Sequence, residues 1–149
     1  MSRRKGRIIA FQALYSWDVT KASIDDLLTF SWLQKDSETS EDSAALLSET
    51  AVEERTFASL IISGTISHID EIDKIIESHL SASWSLDRLN KVALAILRTS
   101  TYEIKYQNNV SAKIIIDEAV NIAKDYGTDD SYKFINAVLD KIGKDKVDK

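Results

Sequence analysis

Cysteine and proline are both absent from the chain, glycine occurs four times and histidine twice. Without cysteine there is no structural disulfide, no thiolate nucleophile and no zinc–thiolate site, which fits a reducing compartment. The glycines (Gly6, Gly64, Gly127, Gly143) stand singly, so no glycine-rich loop can cradle a phosphate or a nucleotide cofactor. No run of about 18 apolar residues occurs, so no membrane span is expected. The basic start followed by an apolar stretch lacks a small-residue cleavage site and continues with helical periodicity, so it does not read as an export signal. His68 and His79 fall in no nucleophile or zinc motif, and His68, near Asp70 and Asp73, reads better as a surface or helix-junction residue than as a metal ligand. Asp117 and Glu118 are helix neighbours pointing about 100° apart, too divergent for an acid/base pair. The expectation is a protein without enzymatic activity, cofactor or metal.

What the chain does have is helix-forming residues in abundance. Its 149 residues suit one domain, able to bury roughly 68 to 70% of the unfolded surface. A first helix is expected over about Arg4–Val19, with Ser2 a candidate N-cap and Ala10, Ala13, Leu14 and Trp17 near one face. Ser23 reads as the cap of a second helix ending near Gln34. The acidic, serine-rich stretch 35–55 reads as a loop. Thr50 and Glu53 have capping-box spacing for a third helix, which should break near Ser67–Ile69. Leu86–Tyr106 contains Val92-Ala93-Leu94-Ala95-Ile96-Leu97, apolar on all sides, and should be a central buried helix. Ala112–Tyr126 follows, with Gly127 expected as a left-handed C-cap, then a last helix from Asp129 or Asp130 and a frayed tail after Gly143. The fold class is all-α, a compact helical bundle.

The charge is unevenly placed. Arg3, Arg4, Lys5 and Arg7 put four cations within five residues, and the remainder carries 15 basic side chains against 24 acidic ones. Cations at a helix N-terminus oppose the helix dipole, which hints at a purpose other than helix stability. A local cationic patch on an anionic surface would dock a polyanion at one place only, whereas the bland reading is a solvated arm. Tyr15 and Trp17 suit core aromatics better than base-stacking platforms, although an unstacked base tracking from Arg4 could reach Tyr15. In the last helix, Asp130, Ser131, Lys133 and Asn136 bracket Tyr132 and Phe134, which on its own reads as an ordinary capped amphipathic helix.

Taken in order, Arg3-Arg4 and Arg7, Ala10, Gln12-Ala13-Leu14-Tyr15, Ile96-Leu97-Arg98, Tyr102-Glu103, Asp117-Glu118-Ala119-Val120, Ala123-Lys124, Tyr126-Gly127, Ser131, Lys133-Phe134-Ile135-Asn136 and Val138-Leu139 resemble the NusB family of bacterial transcription antitermination factors. The resemblance covers almost the whole chain. It implies about seven helices in two three-helix subdomains, about 1–80 and 81–143, plus an extra helix, within a single RNA-binding domain with a tail at 144–149. It implies a cytoplasmic protein that binds the single-stranded boxA element of ribosomal RNA leader transcripts. The partners it implies are the NusE ribosomal protein and the RNA polymerase antitermination complex, and it leaves room for a homodimer that hides the RNA surface. By position it assigns RNA binding to Arg3, Arg4, Lys5, Arg7, Tyr15, Asp130, Ser131, Lys133, Phe134 and Asn136. Tyr102, Glu103 and Glu118 match motif positions that are either core structure or the NusE-facing side. The chain departs from the family's usual pattern at Ala93-Leu94, where an acid–base pair is usual, and at Ser111, where proline is usual. Two other readings stand beside this one: a stand-alone relative of the RNA-placing domain of ribosomal RNA cytosine methyltransferases, and an interaction module that has lost RNA binding.

Overall fold

The computed structural model describes residues 3–29, 52–81, 85–107, 110–128 and 130–147. Among them are seven α-helices and no strand: α1 Arg3–Val19, α2 Ile24–Leu28, α3 Val52–Ser67, α4 Ile69–Ser78, α5 Lys91–Tyr106, α6 Ala112–Tyr126 and α7 Ser131–Val147. The all-helical expectation holds. α5 is the hub, packed against α1, α3 and α4 on one side and α6 and α7 on the other. Every residue from Ala93 to Ile104 is buried, well beyond the apolar run that marked this helix in the sequence.

The polar residues of α5 survive burial because each of several finds a partner. Thr99 turns its hydroxyl back to the carbonyls of Ala95 and Ile96, both at 3.2 Å. Arg98 donates from Nε and Nη2 to Asp73 at 2.9 and 3.0 Å, and its guanidinium lies 5.7 Å from the Trp17 ring centroid. That contact joins α1, α4 and α5, and it accounts for both Trp17 as a packed aromatic and Asp73 as an arginine partner.

Helix ends follow their capping chemistry. Ser23 Oγ accepts from the Asp26 amide. Asn90 accepts from Val92 and Ala93, so the expected Leu86–Tyr106 helix divides into a 3₁₀ turn, Leu86–Arg88, and α5 proper. Ser111 caps α6, its Oγ accepting from the Ile114 amide. α2 stops at Leu28, earlier than expected, because Thr29 folds its hydroxyl and amide back onto the Asp26 carbonyl. The stretch 35–55, expected as a loop, lies outside the described residues as far as 51, and its last four residues, Val52 to Arg55, belong to α3 instead. The candidate caps Ser2 and Thr50 lie outside the described residues, as does Asp129. The break expected near Ser67–Ile69 is present at His68, whose Nδ1–H donates to the Gly64 carbonyl at 2.9 Å while its ring packs 4.3 Å from Tyr106.

Two further expectations fail. α7 runs on through Gly143 to Val147, because Gly143 is buried against Ala112 and Ile116 of α6 rather than ending the helix. Gly127 is not left-handed: its φ is −92° and ψ −176°, and glycine is needed because a side chain would meet the Ala123 carbonyl and the Ser131 hydroxyl. Gly64 is required for the same kind of reason, since a Cβ there would overlap the Tyr102 ring that α5 pushes under α3. Gly64→Ala should therefore destabilise the protein by about 1–3 kcal/mol through overpacking, despite the better helix propensity of alanine. Urea denaturation with an unchanged m-value checks this, and wild-type stability would show that Tyr102 moves aside freely.

Candidate nucleic-acid interface

The four cations at the start of α1 are sorted by what lies opposite each turn of the helix. Arg7 is only 8% exposed and forms a two-point ion pair with buried Glu103 of α5, Nε to Oε1 at 2.8 Å and Nη2 to Oε2 at 2.8 Å. Its guanidinium also lies 5.4 Å from the Phe57 ring centroid on α3, and Arg3 stands 5.5 Å from the same ring. Arg4 points the other way, to α6, and donates from Nε and Nη2 to Glu118 at 2.9 and 3.1 Å. That hydrogen bond holds the Glu118 carboxyl below its ordinary range, with partial burial opposing it. The pair is thus formed at neutral pH and is lost only as the pH falls through the lowered Glu118 value. Arg3 and Arg4 are exposed and Lys5 is half-buried.

Burial takes Arg7 out of its expected place on the surface, and of the two readings open for Tyr102 and Glu103 it agrees with core structure. Arg7 is committed to Glu103 and does not stand on the surface as a phosphate ligand. Tyr102 and Glu103 do not face a partner, because α5 is covered on both sides: Tyr102 stacks on Tyr106 at 5.5 Å and Glu103 holds Arg7. Glu118 alone of that group reaches the surface, and what it touches is Arg4.

Tyr15 is 36% exposed, against its reading as a core aromatic. Arg4, Phe11 and Tyr15 recur at intervals of seven and four residues, so they line one face of α1, with Arg4 and Tyr15 roughly 16 Å apart along the axis. α6 runs beside that face in the same direction, since Arg4 meets Glu118 and Phe11 meets Tyr126 edge-on at 5.4 Å. Tyr126 is 45% exposed. Close by, Lys124 and Lys133 sit 5.0 and 5.9 Å from the Tyr132 ring centroid. A surface of exposed aromatics and cations therefore runs from Arg4 along the α1–α6 seam to the start of α7. There Asp130, Lys133 and Asn136 are exposed while Ser131 and Phe134 are half-buried. Tyr126, Lys124 and Tyr132 were absent from the sequence-derived set, and the aromatic–basic spacing Lys124-x-Tyr126 was the signal available. Among the described residues no group of three His, Asp or Glu side chains is gathered that could hold a metal, and no helix is long and apolar enough to cross a membrane.

The family model described as the NusB family matches residues 4–144. The chain belongs to the NusB family. Its relatives include the transcription antitermination protein NusB of Treponema denticola, 51% identical over 95% of this chain and 96% of the relative. The NusB protein of Treponema pallidum is 40% identical over 97% and 94%. Among solved structures, T. maritima NusB superposes with a TM-score of 0.77 at 31% identity, covering 100% of this chain and 99% of that one. A crystal structure of the antitermination factors NusB and NusE in complex with dsRNA superposes with a TM-score of 0.75 at 27% identity, covering 96% of each. The all-helical NusB fold thus carries the sorted cation cluster described above.

Breaking the Arg7–Glu103 pair from one side strands a buried charge. Glu103→Ala should cost about 3–5 kcal/mol of stability. Removing Arg7 in that background should cost little more. Equilibrium denaturation of the single and double variants checks this, and additive losses would show that the two side chains do not depend on each other.

Proposed function

We propose that this protein acts in the cytoplasm as a transcription antitermination factor rather than an enzyme, binding the single-stranded boxA element of ribosomal RNA leader transcripts together with the NusE ribosomal protein. The complex it forms would join the RNA polymerase antitermination assembly, with a homodimer as a resting form that covers the RNA surface. Membership of the NusB family across residues 4–144 carries this reading. The relative crystallised with NusE and dsRNA supports the choice of partners. The geometry supports a division of labour. Arg3, Arg4 and Lys5 hold phosphates, and Tyr15, Ser131, Lys133, Phe134 and Asn136, with Asp130 at the edge, meet exposed bases. Phosphate contacts position a strand and contacts to bases carry the sequence information. Glu118 acts on the same surface as the anion that holds Arg4 until a phosphate competes for it.

For single strands, log K falls with log salt at about 0.7 per phosphate neutralised. The triple variant Arg3→Ala, Arg4→Ala, Lys5→Ala should therefore flatten the slope of boxA RNA binding by about 2 units, read by fluorescence titration with and without NusE. An unchanged slope with unchanged affinity would remove these cations from the RNA site.

A further inference from the structure

Gly6 stands inside the cation cluster, within a helix that glycine weakens. The reason for it is Phe57. A Cβ on Gly6 would come within 2.6 Å of Phe57 Cδ2 and 3.3 Å of the Glu54 carbonyl oxygen, so glycine is what lets α3 bring this ring against the backbone of α1. The ring is half-buried, and the guanidiniums of Arg3 and Arg7 both lie over it, 5.5 and 5.4 Å from its centroid. Two cations against one ring repel each other. Here Glu103 cancels the charge of Arg7 by pairing with it at 2.8 Å, which leaves the ring free to attract Arg3.

The three arginines of the cluster therefore differ in what holds them. Arg7 spends Nε and Nη2 on buried Glu103, and Arg4 spends the same two nitrogens on Glu118, so a phosphate that takes those donors of Arg4 must displace a carboxylate. A ring holds a guanidinium by its face and takes none of its five N–H donors, which lie in the guanidinium plane. Arg3 is exposed and is held in this way. We propose that Phe57 is a positioning residue of the RNA site, keeping the Arg3 guanidinium in place at the start of α1 with its donors open to a phosphate of the bound strand. This rests on the RNA-binding reading and adds to it an aromatic residue on α3 that acts through Arg3. The effect on affinity comes from population: an arginine spread over many side-chain conformations binds only with the fraction already in place, and the ring raises that fraction.

Titration of the full chain with boxA RNA tests this. Phe57→Leu keeps apolar bulk and removes the ring, and it should weaken binding about two- to fivefold, the factor that a cation–ring contact at an exposed site supplies. Phe57→Tyr keeps the ring and should bind as the wild type does. In an Arg3→Ala background, Phe57→Leu should cause no further loss, because the side chain it positions is gone. A loss from Phe57→Leu that is the same with and without Arg3 would overturn the positioning role while leaving RNA binding intact, and so would wild-type affinity in Phe57→Leu. Should Phe57→Leu not fold, proton NMR of the RNA-free wild type still tests the contact. The δ-methylene protons of Arg3 should be shifted upfield by the ring current, and ordinary arginine values would show that the ring does not hold Arg3. A wild-type protein that binds no boxA RNA would overturn the RNA reading, whereas the NMR shift reads the ring contact separately.

Discussion

The ion pair between Arg7 and Glu103 is the contact on which the rest of the arrangement depends. Both side chains are buried, they are 96 residues apart in the chain, and they join the basic start of α1 to the middle of the central helix. Two charges withdrawn from water are tolerated only when each satisfies the other in good geometry, so this pair fixes both the rotation and the height of α1 against α5. Asp18 and Lys91, eleven and twelve residues further along their helices in opposite senses, close the other end of the same antiparallel contact. With α1 held at both ends, the face carrying Arg4, Phe11 and Tyr15 has no choice but to lie along α6.

That geometry turns four adjacent cations into two populations. One arginine becomes part of the frame, and the others stay at the mouth of the α1–α6 seam on a protein whose net charge is −5. Arg4 and Glu118 form an intermediate case: a half-exposed pair is screened and cheap to open, and so can give way to a phosphate where a buried pair cannot. The surface gains selectivity from this thrift, since a strand is attracted at one edge and repelled over most of the remainder.

Much of the fold was legible because helical periodicity and capping are local. The apolar run Val92–Leu97 marked α5 as central, Ser23 marked α2, and the boundaries of α6 at Ala112 and Tyr126 agree with the structure. What was not legible depends on contacts distant in sequence. Nothing near Arg7 distinguishes it from Arg4; only Glu103 and Phe57 do. Tyr15 and Trp17 look alike in the sequence, yet Arg98 and Asp73 draw Trp17 inward while Tyr15 stays at the surface. Gly127 kept its place at the end of α6 for reasons of space, which a rule about left-handed caps does not capture. The likeness to the NusB family named motif positions, and motif positions alone do not separate a structural arginine or a buried tyrosine from an exposed one.

The central claim is that Arg7 belongs to the frame and not to the RNA site. The most direct measurement is the salt dependence of boxA RNA binding by the variant Arg7→Met, Glu103→Leu, in which two apolar side chains replace the pair without stranding a charge. The account predicts a folded protein whose log K against log salt has the wild-type slope. A slope shallower by about 0.7 would mean that Arg7 neutralises a phosphate, and would contradict it.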